Sequence, residues 1–206
     1  MNMLSKGRGW MITALGVVVV VLLAIIGSKK LKDKEQESHF LADVVGVHHL
    51  GPDYRIGNFY INKGIGDSVG EGGGGGSRRC CVSLPNKFNP KLKADVRWEV
   101  WRAVREVGSI LPTTNRVEGI YQAVVPVEQY TDVGDFYVHF FPNGRVRIVI
   151  SKYSSSGNLH PIRLDDSLAA QQSTSGHKIA AMFSEVEVEE FQRQADEDRK
   201  LYGDWK

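Results

Sequence analysis

Residues 136–151 read FYVHFFPNGRVRIVIS. Pro142-Asn143-Gly144 separates two apolar-rich runs with a strong hairpin signal, because Asn and Gly tolerate the backbone a tight turn requires. In the second run Val146, Ile148 and Ile150 point one way, and Arg145, Arg147 and Val149 point the other. That is the period-2 signature of a strand with two different faces. The same texture recurs in ADVVGVHH from Ala42, in YRIGNFYIN over 54–62, in CCVSL ending at Pro85, and in GIYQAVVPV over 119–127. In KADVRWEVWRAV it sets Val96, Trp98 and Val100 against Arg97, Glu99 and Trp101. Short strands spaced by turns predict a mainly β fold over 42–162, an antiparallel β-sandwich or barrel-like domain.

The ends of the chain have a different character. Trp10 to Gly27 is an apolar run of 18 residues without a charge, close to the length that spans a bilayer. Lys6 and Arg8 precede it, and Lys29, Lys30, Lys32 and Lys34 follow. No small-x-small cleavage site ends the run and no lipid-accepting cysteine follows it, which favours a retained anchor over a long signal peptide. The segments are then a cytoplasmic tail at 1–9, an N-terminal transmembrane helix at 10–27 and a charged stalk at 28–41. A polar loop and amphipathic C-terminal helix follow the β-domain at 163–206. In that last part Val188, Phe191, Ala195 and Tyr202 recur at helical spacing, although EVEVEE could equally extend a strand. The lysines flanking the apolar run lean slightly toward a cytoplasmic C-terminus.

The formal charge of +2 hides a gradient. Residues 1–34 carry six Lys/Arg against one acid, and residues 185–206 carry eight acids against four bases. The middle is near neutral, so the domain lacks the basic face that displaces counterions from nucleic acid. The basic end reads as a membrane flank.

Three places in the sequence could carry chemistry. Gly72–Gly76 is followed by Ser77, Arg78 and Arg79 and then a strand, without the lysine and helix of a phosphate loop. It reads as a flexible loop within 63–77. Cys80 and Cys81 are the entire cysteine supply. Neighbours in a strand face opposite ways, and a ring closed across one peptide is hard to form. They are read either as a disulfide, within or between chains, or as buried thiols. A zinc site drawing on His48 and His49 lacks the usual ligand spacing. The other histidines are scattered, and His139 reads as a sheet-surface residue. No hydrolase or protease signature is present. The expectation is a binding protein with no catalytic residue, cofactor or metal.

The order VVGVHHLG, YRIGNFYINKGIGD, GGGGGSRRCCVSLP, KLKADVRWEVWR, GIYQAVVPVEQY, GDFYVHFFPNGRVRIVIS and LHPI resembles a bacterial envelope family of long-unknown function, over about 44–162. Its members look like short lipoproteins, often encoded beside type VI secretion phospholipase effectors. The resemblance implies an immunity protein that binds and neutralises such a lipase in the periplasm. It also tips the orientation to a single-pass inner-membrane protein with its domain in the periplasm. An apolar anchor would stand where relatives carry a lipidated cysteine. The partners implied are the cognate lipase effector and the inner membrane, with no nucleic acid. Candidate contacts are the acidic C-terminal segment and the loops at 62–79 and 153–178, through Asp67, Glu71, Arg78, Arg79, Tyr153 and His160. The alternative is a non-enzymatic envelope structural or secretion-assembly protein.

Overall fold

A computed structural model describes residues 38–72, 78–105, 114–166 and 168–203. The expected tail, transmembrane helix and most of the stalk lie outside the described residues. Among the described residues no helix is long and apolar enough to cross a membrane.

Among the described residues ten strands build two sheets: β1 (His39–His48), β2 (Tyr54–Ile61), β3 (Ile65–Val69), β4 (Arg79–Pro85), β5 (Lys93–Val104), β6 (Thr114–Pro126), β7 (Asp135–Phe141), β8 (Arg145–Ser151), β9 (Thr174–Ser175) and β10 (His177–Ile179). The first sheet runs β4-β1-β7-β8-β9 and the second β10-β6-β5-β2-β3. Two five-stranded sheets sharing a core make a sandwich and not a closed barrel. The fold is not purely antiparallel: β1 lies parallel to β7, with Val44 opposite Phe136. Hairpin signals are local, so a pairing across this sequence separation left no mark in the local pattern. The single α-helix among the described residues, α1 (Glu185–Tyr202), follows at the C-terminal end.

Alternation decides the core. Phe136, Val138 and Phe140 of β7 and Val146, Ile148 and Ile150 of β8 turn inward. There they meet Ile56, Phe59, Val96, Trp98 and Val125 of the second sheet. Trp98 is wholly enclosed, stacked on Tyr121 at 5.5 Å and tilted against Phe140 at 5.7 Å. Each such side chain contributes roughly 1.5–3 kcal/mol by leaving water. At the β7–β8 turn Asn143 and Gly144 both have positive φ, +64° and +66°. A Cβ at Gly144 would strike the Tyr121 ring, so this glycine serves both the turn and the close approach.

Three expectations change, and one alternative closes in favour of the expected helix. β1 starts at His39, inside the expected stalk. The glycine-rich stretch contains β3, an edge strand antiparallel to β2. The EVEVEE segment is helical. Ser184 caps α1, accepting from the Glu187 amide while the Glu187 carboxylate accepts from the Ser184 amide, and this capping box fixes the start. The largest change concerns residues 153–172, expected as open loop. They lie over the outer face of the first sheet, with Ile162 and Ala169 packed against Val45, Val47, Tyr137, Phe141 and Val149. This cover explains why every residue of β7 from Phe136 on is buried, His139 included, when one face was expected to meet solvent.

Candidate partner-binding surface

Four nominated residues line one side of the sandwich, where β3 and β4 are the edges of opposite sheets. Asp67 lies in β3 and Arg79 in β4, and Arg79 Nε comes within 3.8 Å of an Asp67 carboxylate oxygen. Arg78 precedes β4 and reaches Asp135 at 2.9 Å. Glu71, in the turn after β3, lies 3.9 Å from Arg105. Both arginine side chains remain 63% exposed. Pairs to such exposed arginines add little stability, so Arg78 and Arg79 can exchange partners, whereas the Asp67 side chain is only 7% exposed and is poorly placed as a contact. Tyr153 and His160 belong to the cover. Tyr153 is partly exposed, but His160 is buried, with Nδ1 donating to the Tyr153 carbonyl at 2.8 Å. His160 is therefore unavailable as a contact: the loop that carries it turns inward to roof an apolar patch.

Cys80 and Cys81 are joined in a disulfide across a cis peptide bond. Cys80 is exposed and Cys81 half-buried, so neither lies in the core. β4 is an edge strand, so one side of it has no neighbouring strand among the described residues. Asp43 of β1 brings a carboxylate oxygen within 3.8 Å of the Cys81 sulfur. Asp43, Cys80 and Cys81 are the one group of such donors clustered closely enough for a metal among the described residues. With the sulfurs bonded to each other no thiolate is offered, and a single carboxylate falls short of a metal site. His48 and His49 are occupied elsewhere: His48 Nε2 donates to the Gly70 carbonyl, and His49 meets His139.

A surface not nominated from the sequence lies on the second sheet. Trp101 stacks under the Arg55 guanidinium at 5.0 Å, and Tyr54 under Arg102 at 5.7 Å. These residues are cross-strand neighbours, with Arg55 opposite Trp101 and Tyr54 opposite Arg102, and because successive strand residues alternate, the two stacks, each with its ring half-buried, lie on opposite faces of the sheet. Gly57 makes room for the indole, since a Cβ there would collide with its Nε1 and Cδ1. Trp101 Nε1 and Arg55 Nε have no hydrogen-bond partner among the described residues. Two depressions flank the stacks. One, of about 230 Å³, is lined by Arg55, Gly57, Ser68 and Trp101 among others. The other, of about 410 Å³, is lined by Asp53, Arg102, Ala103, Val104, Arg105 and Arg116. Asp53 pairs with Arg105, and Glu118 pairs with Arg116 at 2.8 Å. The Arg116 hydrogen bond holds the Glu118 carboxyl below its usual range. The available signal was Trp101 itself, a tryptophan that the alternation places on the polar face of its strand.

Helix α1 is attached at its first turn. Arg97 of β5 donates to both Glu187 oxygens at 2.9 Å and to the Met182 carbonyl at 2.8 Å. Lys63 adds a second cation to Glu187 at 2.7 Å. Together with the Ser184 amide they hold the Glu187 carboxyl far below its ordinary value, the Arg97 hydrogen bond contributing most. Phe183 packs edge-on against Tyr60 and Phe191, with Arg97 over its ring. Beyond that turn no residue of α1 is buried, and Val186, Leu201 and Tyr202 are open.

Residues 51–148 match a protein family described as DUF3304, a protein of unknown function. The match runs from the turn before β2 into β8 and takes in the glycine run, the cysteine pair and the β7–β8 turn. No curated protein matches the chain. No solved structure matches it.

Proposed function

We propose that the chain is a membrane-anchored immunity protein that binds and neutralises a type VI secretion lipase in the periplasm. The resemblance noted above suggests the partner class. The observation that carries a binding role is the half-buried Trp101 held under the Arg55 guanidinium beside a depression on one face of the second sheet, with Tyr54 held under Arg102 on the opposite face. Trp, Tyr and Arg dominate the few residues that supply most binding energy in protein interfaces. Stacked in cross-strand pairs, they are held in place before a partner arrives, which lowers the entropy lost on docking. The apolar run at 10–27 would hold the domain at the membrane where a phospholipase works. Binding would close the lipase cleft or block its approach to lipid.

The test is co-purification of the full chain with the lipase encoded beside it, followed by challenge of cells lacking the chain. Trp101→Ala should weaken binding by about 2 kcal/mol or more, roughly 30-fold in Kd, with the domain still folded. Survival of the deletion strain under lipase challenge overturns the reading. A neighbouring gene that is not a lipase favours the structural or secretion-assembly alternative.

A further inference from the structure

Three imidazoles form a hydrogen-bonded string beneath the cover. His49 Nε2 lies 2.9 Å from His139 Nδ1, and His139 Nε2 lies 3.0 Å from His160 Nε2. His160 Nδ1 ends the string at the Tyr153 carbonyl, 2.8 Å away. His139 is completely buried and His160 is 4% exposed. The rings come from three places: the residue after β1, the middle of β7, and the cover.

The proton positions follow from the contacts. A carbonyl only accepts, so His160 Nδ1 carries a proton. In the neutral ring His160 Nε2 is then an acceptor, which requires the proton on His139 Nε2. His139 Nδ1 is in turn an acceptor and requires the proton on His49 Nε2. Three neutral rings thus supply the three protons that three contacts need, all pointing one way. Of the nitrogens without a proton one lies outside the string, His49 Nδ1, and the Leu164 carbonyl lies within hydrogen-bonding reach of that ring. A first added proton can sit there without breaking a link. A second, on His139 or His160, would set two N–H groups against each other at a contact now spanning 2.9 or 3.0 Å.

The surroundings oppose that second charge. Burial holds all three rings toward the neutral form, and for His139 both neighbouring histidines and Arg147 of β8 add to it. His48 and Arg147 likewise disfavour a charge on His49, while Asp166 and the Leu164 carbonyl favour one. Tyr137 of β7 lies edge-on to His160 and is itself held protonated by burial. Arg147 is engaged by Glu128 at 2.6 Å and by the Ala169 carbonyl at 2.9 Å, so the far end of the cover has its own fastening.

We propose that His49, His139 and His160 form an acid-released latch that holds the near end of the cover, residues 153–166, on the outer face of the first sheet. The folded rings favour the neutral form, so the latched state is fully stable above about 6.5, the ordinary histidine value, and loses stability as pH falls below it. Release uncovers the face formed by Val47, Tyr137 and Phe141, while Arg147 retains residues 169–172. This inference does not rest on the identity of any partner.

Hydrogen exchange of the full chain at pH 7.5 and 5.0, corrected for the intrinsic exchange rate, tests it. Protection of 153–166 should fall about tenfold or more at pH 5.0, with β5 and β6 unchanged. His160→Gln should remove the pH step and His177→Gln should keep it. Equal protection at both pH values in the native chain, or a step that survives His160→Gln, overturns the latch. Imidazole nitrogen shifts of the native chain give a second readout that needs no variant. At pH 7.5 they should place protons on His49 Nε2, His139 Nε2 and His160 Nδ1, and any other set overturns it.

Discussion

Trp98 and Trp101 show how far a single residue can be read from sequence. Both lie in β5, and the alternation sends them to opposite faces. Trp98→Ala removes a wholly enclosed side chain with two aromatic neighbours and should cost about 3–5 kcal/mol in urea unfolding. Trp101→Ala, at a half-buried side chain, should lower that midpoint by clearly less and act on partner binding. Equal losses of stability would place Trp101 in the core and remove it from the surface. His139 shows the limit of the same reasoning. It does lie on the face opposite Phe136, Val138 and Phe140, but its exposure depends on a cover contributed by residues 153–172, and period-2 patterning is blind to a roof. The cysteines fall between these cases. Spacing left a disulfide open without selecting it, and the ring that closes depends on backbone geometry that residue types do not encode. Thiol titration in denaturant should find no free thiol before reduction and two after it.

Among elements, the strands with clean alternation and turn residues were legible, and those without were not. β5, β8 and most of β7 fell within the stretches nominated, whereas β3 hid in glycine-rich sequence that carries no propensity for a strand. It forms because β2 offers it an open edge. Helix α1 was legible from its spacing. Its docking was not, because Arg97 and Glu187 lie 90 residues apart in sequence. Glu187→Gln removes the charge that Arg97 and Lys63 share and should loosen the first turn, read as faster amide exchange near Ser184. The sign of its pH dependence is fixed. The Glu187 carboxyl is held below its ordinary value of 4.5, so its contribution is present above that value and is lost as pH falls below it. An acid-side loss of α1 that is absent in Glu187→Gln is the expected result. An unchanged loss in the variant would assign it to another carboxylate.

For the whole molecule, the chain from His39 to Lys206 packs as one unit with its own core. That fragment should unfold in a single cooperative transition without residues 1–38, by calorimetry and circular dichroism together. Separate transitions would mean that the two sheets are not one cooperative structure. The sheets also differ in when they can be completed as the chain leaves the ribosome. β2, β3, β5 and β6 are antiparallel neighbours within 54–126, so the second sheet has most of its strands early. β1 is made before any of them, and β4 can take one of its edges. The other edge belongs to β7, about 90 residues downstream. Until then Val45 and Val47 stand on an unpaired strand edge, the kind of surface that recruits chaperones or a second nascent chain. The first strand synthesised is therefore among the last to be enclosed.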